Sequence, residues 1–122
     1  MAQKAIEVAK TATGETKMGA VLAKGRRVLS ATTNLPSKSH PLQAEYAKKS
    51  GNPRRIYLHA ELRSLIQARK AGDTMYVARV NKKGYMRMAR PCKTCQLALE
   101  DRGIKEVFYT TSNGWEKIEI NS

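Results

Sequence analysis

The chain is poor in the residues that usually build an extracellular or membrane-spanning fold. Its 122 residues include 2 cysteines, 2 histidines, 1 phenylalanine and 1 tryptophan, and 10 acidic residues stand against 23 lysines and arginines. Two cysteines, Cys92 and Cys95, cannot form the disulfide framework that a small secreted domain needs. No apolar run approaches the ~20 residues of a membrane helix, and the start has no signal-peptide pattern, so a cytoplasmic, reduced protein without a membrane partner is expected. One domain over 1–122 is expected from the length, long enough to bury about two-thirds of the surface its unfolded chain exposes. The scarcity of acids leaves a formal charge of +13. Pairs at Arg26-Arg27, Lys48-Lys49, Arg54-Arg55 and Lys82-Lys83 point to an anionic partner or a solvated basic surface. They are too scattered along the chain to name a face.

What the chain does have is a set of groups suited to one metal ion. His59-Ala60-Glu61 and Pro91-Cys92-Lys93-Thr94-Cys95 supply an imidazole and two thiols, with a carboxylate that need not bind. Zinc takes nitrogen and sulfur in a tetrahedral shell, and a catalytic site leaves its fourth position to water. A helix beginning near Leu58 puts His59 and Glu61 in its first turn, with Leu62, Leu65 and Ile66 as its apolar stripe. A second helix beginning at Pro91 or Cys92 puts the cysteines one turn apart, with proline tolerated at the first helical position. Two helix N-termini then converge, and their free N–H groups near Ala60 and Cys92 can steady a developing oxyanion. Two other readings of the same residues stay open. A redox dithiol leaves His59 and Glu61 without a role, and a structural zinc site needs a fourth ligand, for which His40 is the only other histidine.

The pattern H-x-E followed by P-C-x-x-C resembles the cytidine and deoxycytidylate deaminase superfamily, particularly its small single-domain members encoded by bacteriophages. The resemblance implies a three-layer α-β-α fold of α/β class, a central mixed sheet of about five strands with helices on both faces. It implies Zn2+ held by His59, Cys92 and Cys95, and Glu61 as the catalytic acid and base. It also implies that Asn34, at a strand end, contacts sugar or base, that Tyr109 and Trp115 stand where substrate contacts follow the fourth strand, and that the protein assembles as a homo-oligomer. One departure is visible: many deaminases carry an asparagine shortly after the glutamate, where this chain reads Leu62-Arg63-Ser64.

Along the chain, residues 2–12 read as a helix, and 18–23 with 28–33 as a hairpin around Gly25. Residues 35–55 read as an irregular insertion with a short helix at 41–49. That insertion is a candidate substrate lid or a plain connector; Lys38 and His40 are candidate substrate or phosphate contacts, and Arg54 and Arg55 can follow a phosphate backbone. A helix over 57–71, a strand over 74–80, a turn at Lys82-Lys83-Gly84 and a return strand at 85–89 follow. A helix over 92–102 and strands over 104–111 and 115–120, joined by Asn113-Gly114, complete the chain.

The expected chemistry is hydrolytic deamination, with zinc acidifying water and Glu61 carrying protons to the ring nitrogen and the departing ammonia. A free nucleotide of dCMP or CMP type is the first substrate choice. Single-stranded DNA or RNA carrying cytosine or adenine is the alternative; the charge favours it, and the low aromatic content speaks against it. A nucleoside comes third. A non-catalytic, zinc-stabilised nucleic-acid-binding module is the reading from another class, and the intact Glu61 argues against it.

Overall fold

The computed structural model describes residues 1–12, 17–39, 41–49, 51, 57, 58, 60–68 and 72–120, with the backbone alone at 35–39, 42, 57, 58 and 62. Its elements are α1 (Ala2–Lys10), β1 (Lys17–Lys24), β2 (Arg27–Thr33), β3 (Leu35–Ser39), α2 (Pro41–Lys49), β4 (Tyr57–Leu58), α3 (Ala60–Gln67), β5 (Thr74–Val80), β6 (Met86–Arg87), α4 (Lys93–Asp101), β7 (Glu106–Thr111) and β8 (Gly114–Glu119). The main sheet has the order β2-β1-β5-β7-β8, with β6 set beside β5, and β3 and β4 form a separate ribbon. Strands β5 and β7 are parallel, joined through α4, while the other pairings are antiparallel. This is the expected α/β architecture, an open mixed sheet with helices on both faces.

Alternation along the strands assigns the two faces. Ala20, Leu22, Met75, Val77, Val107 and Tyr109 cluster with Ala60 and Leu65 of α3 and with Ala98 and Leu99 of α4. Val21, Ala78 and Val80 cluster on the opposite face with Ala5 and Ala9 of α1. Burying a side chain such as Leu22 or Leu99 contributes about 1.5–3 kcal/mol, and the main cluster holds most of these large residues. On the other face, close approach substitutes for bulk. A Cβ on Gly19 would lie 2.5 Å from the Ala9 nitrogen and 2.8 Å from the Ala5 oxygen, so glycine is what lets α1 lie directly on β1.

Four expectations about boundaries are corrected. The third helix starts at Ala60 rather than near Leu58, because Leu58 pairs with Leu35 and Tyr57 with Ser39 in the β3–β4 ribbon. Residues 35–39 are therefore a strand, β3, where an irregular stretch was expected, while the short helix expected over 41–49 is α2. Helix α2 docks through buried Gln43, Tyr46 and Ala47; burial and a hydrogen bond with Asp101 of α4 push the Tyr46 hydroxyl pKa up. The return strand after Gly84 is only two residues long. Tyr85 is held in the turn by Asn81, and Ala89 turns its N–H to the Thr110 carbonyl at 2.9 Å. Finally, Pro91 precedes the helix start. Cys92 is the N-cap, extended at φ −68° and ψ 167°, and the Pro91 carbonyl accepts a hydrogen bond from Gln96 Nε2 at 2.8 Å.

Candidate active site

Helix α3 is fixed to the sheet by hydroxyl groups as well as by its apolar stripe. Thr32 Oγ1 on β2 donates to the Ala60 carbonyl at 2.8 Å, Ser64 Oγ donates to the Ala20 carbonyl at 3.0 Å, and the two hydroxyls lie 2.8 Å apart. Ser30 Oγ donates to the Ser64 carbonyl at 2.8 Å, and Arg63 Nη1 donates to the Thr33 carbonyl at 3.0 Å. Thr32 and Ser64 are both buried. Leaving either partner unsatisfied there costs about 1–3 kcal/mol, so the network pins the helix start in one position. Glu61, in the first turn, is 1% exposed.

The second contributor is the start of α4. Cys92, half-buried at the N-cap, and Cys95, buried one turn on, share a side-chain hydrogen bond, and Glu61 interacts with Cys95 both by charge and by hydrogen bond. The Cys95 thiol is pushed well up, first by its bond with Cys92, then by burial and by the Glu61 charge. Every one of these influences opposes thiolate formation. Two thiols one turn apart, Cys92 half-buried and Cys95 buried, are soft donors of the kind a divalent cation of zinc type takes, and the Glu61 carboxylate lies beside Cys95. The donor chemistry therefore fits the metal. Among the described residues no three His, Cys, Asp or Glu side chains form a metal-holding group, and the remaining expected ligand, His59, lies outside them.

The two helix starts share one end of the sheet. Thr32 bonds to Ala60 beside the Gly19–Thr33 pairing, Lys17 stands across from Val80 at the end of β5, and the chain leaving β6 leads through Ala89 to Cys92. The sequence motifs name Glu61 and the cysteines but not Thr32 and Ser64, which fix the start of α3 that carries Glu61. The available signal was Ser64, a small polar residue inside the apolar stripe of α3.

The other expected contacts are distributed as follows. Asn34 accepts a hydrogen bond from the Met18 N–H at its Oδ1, 3.1 Å away, and returns its own N–H to the Met18 carbonyl at 3.3 Å, so it closes the β1–β2 pair at the site end. Tyr109 lies on the α3/α4 face and donates its hydroxyl to Glu116 at 2.9 Å, a bond that pushes its pKa up, while Arg90 acts on it in the opposite direction. Trp115 is on the opposite face, packed with the α1 cluster and edge-on to Tyr76 at 6.3 Å. The structure does not bring it to the Glu61 side. His40, Arg54 and Arg55 lie outside the described residues, as does the Lys38 side chain. Ala60 is the first residue of α3 and Cys92 the N-cap of α4.

The cytidine and deoxycytidylate deaminase zinc-binding region matches residues 1–111, and the chain belongs to that family. No curated protein matches the chain at a significant level.

Proposed function

We propose that the protein is a zinc-dependent hydrolytic deaminase that converts cytosine to uracil in a free nucleotide of dCMP or CMP type. The observation that carries this reading is the buried Glu61 carboxylate beside the Cys92–Cys95 pair, at the meeting of two helix starts. His59, Cys92 and Cys95 would hold the zinc, which supplies the Lewis acidity that makes water a nucleophile near neutral pH.

Glu61 accepts one proton from the attacking water and gives it to the ring nitrogen as the C–O bond forms at C4, then takes the remaining proton from the C4 hydroxyl and passes it to the amine. The C4–N bond breaks as C4=O forms, and the uracil nucleotide and ammonia leave. Burial suits Glu61 to this shuttle, since water does not compete for its protons. The backbone N–H groups at the starts of α3 and α4 lie where charge on the attacking oxygen can be steadied. Asn34 and Tyr109 are the substrate contacts of this proposal, with Lys38, His40, Arg54 and Arg55 as phosphate or substrate contacts. Trp115, on the other face, is not among them.

A single deaminase-like domain over 1–122, a cytoplasmic setting, kinship with phage-type deaminases and a homo-oligomeric state belong to the same proposal. No helix among the described residues is long and apolar enough to cross a membrane. The test is ammonia release from dCMP, CMP, cytidine and single-stranded oligonucleotides by wild type and Glu61→Gln. Zinc-dependent release from dCMP or CMP, lost in the variant, supports the proposal; release from none of these substrates overturns it. A polynucleotide substrate is the second reading, favoured by the cations around the β5–β6 turn.

A further inference from the structure

The turn between β5 and β6 brings together cations that are far apart along the chain. Lys10, Lys17, Lys82 and Lys83, with Val80, Asn81 and Gly84, line a hollow of about 300 Å³. A second hollow of about 440 Å³ continues it past Tyr85 to Arg87. The fold makes this cluster in two ways. The β1–β5 register sets Lys17 opposite Val80, and the end of α1 brings Lys10 Cε to 3.7 Å from the place a Cβ would take on Gly84.

The turn is closed by its own hydrogen bonds. Asn81 Oδ1 accepts the N–H groups of Lys83 and Tyr85 at 3.0 and 2.9 Å, the Asn81 carbonyl accepts the Gly84 N–H at 2.9 Å, and Gly84 sits at φ +87°. With the backbone bonded inward, the lysine side chains are left for something else. Among the described residues none of these four lysines is in an ion pair; those that are, Lys49 and Lys117, lie elsewhere. From Thr74 to Leu99 the sequence has no acidic residue, and Arg79, Arg87, Arg90 and Lys93 add to the two turn lysines. Apolar surface accompanies the charge. Tyr85, which lines the second hollow, is 63% exposed, in a segment that runs on to Cys92 at the candidate active site.

We propose that this basic hollow is a docking surface for single-stranded nucleic acid: Lys10, Lys17, Lys82, Lys83 and Arg87 hold successive phosphates, and Tyr85 takes an unstacked base. Concentrated cations alone would fit any polyanion. The exposed Tyr85 ring beside them is what an unpaired base requires and a duplex or lipid headgroup does not. The surface functions whether or not the bound strand is also the deaminase's substrate.

The test is fluorescence anisotropy with end-labelled oligo(dT) and oligo(rU) of about 20 nucleotides, a size that spans a single-strand site. Wild type binds at least one of them, and the tighter of the two names the sugar. With five cations engaged at about 0.7 each, log K falls against log salt with a slope of roughly 3.5. The double variant Lys82→Gln/Lys83→Gln loses at least about tenfold in affinity and about 1.4 of that slope. Tyr85→Ala weakens binding with the slope unchanged. Lys24→Gln/Arg26→Gln, at the opposite end of β1 and with the same charge change, stays within about twofold of wild type. Glu61→Gln binds as wild type does, so failure of the deamination assay and failure of this proposal read out separately. The proposal is overturned if neither oligomer binds at physiological salt, if Lys24→Gln/Arg26→Gln weakens binding as much as the turn variant, or if duplex DNA or anionic phospholipid vesicles bind as tightly as the single strands.

Discussion

The two faces of the sheet come from the same strands and carry different kinds of interior. Against α1 the contacts are small and apolar, Ala5 and Ala9 on Gly19 with Val21, Ala78 and Val80 alongside, and the stacked rings of Tyr76 and Phe108 continue the surface at a centroid distance of 5.1 Å. Against α3 and α4 the apolar core is larger, yet Thr32, Gln43, Glu61, Ser64 and Thr94 are buried on or beside it. A buried polar group is destabilising unless it is bonded, so polar groups held in place mark where the fold has been shaped by something besides stability. The α1 face holds the sheet together. The α3/α4 face presents Glu61 and two sulfurs at one end of it.

The sharpest way to break this comparison is Glu61→Gln, which keeps shape and burial and removes the proton carrier. Turnover falls about 10²–10⁴-fold, measured as ammonia release, with the melting temperature at or above that of wild type. Retained turnover would reduce Glu61 to a packing residue.

Metal removal comes next, and its signature is the loss of a rise in stability between about pH 6 and 8. In metal-free protein the folded Cys95 pKa lies above its unfolded value. Its contribution to stability is therefore fully present below the ordinary thiol value of about 8.5 and is lost as pH rises toward the folded value. In zinc-loaded protein the thiols must be ionised, so stability rises with pH from about 6 to 8. Thermal melts with and without a chelator across that range separate the two. Parallel profiles would argue against metal binding at this pair.

A matched pair of structural variants then compares the faces directly. Gly19→Val forces α1 off β1 and destabilises by about 1–3 kcal/mol, while turnover per folded molecule is unchanged below the melting transition. Ser64→Ala costs a similar ~1–3 kcal/mol and also lowers turnover, because it loosens the start of α3. Equal effects on turnover would erase the distinction. Trp115→Phe has the smallest effect, below about 1.5 kcal/mol in a denaturant melt, with kcat/KM unchanged. A tenfold loss of kcat/KM would return Trp115 to the substrate pocket.

The residues of the proposed site could be named from the sequence because a zinc site is expected to have short, local spacing: Glu61 and the two cysteines come from two local motifs, which the structure places at the starts of α3 and α4. The helices and the strands β1, β2, β5, β7 and β8 were legible from periodicity and glycine punctuation. The β3–β4 ribbon was not, since a two-residue strand at Tyr57-Leu58 exists only through its distant partners. The face of Trp115 was equally hidden. Residues 115–120 alternate, but which half points toward α1 depends on the register with β7. The basic hollow is the clearest case. Its cations looked scattered in sequence, and Lys10, Lys17 and Lys82 meet only because β1 runs antiparallel beside β5 and α1 packs across Gly19.

The most direct measurement of the central claim is the zinc content of purified wild type, Glu61→Gln and Cys95→Ser. The account predicts about one zinc per chain in wild type and in Glu61→Gln, and little in Cys95→Ser, because the thiolate is a ligand and the carboxylate is not. Wild type without zinc, or Glu61→Gln losing it as fully as Cys95→Ser, would contradict the assignment of the carboxylate as a proton carrier beside a metal held by other groups.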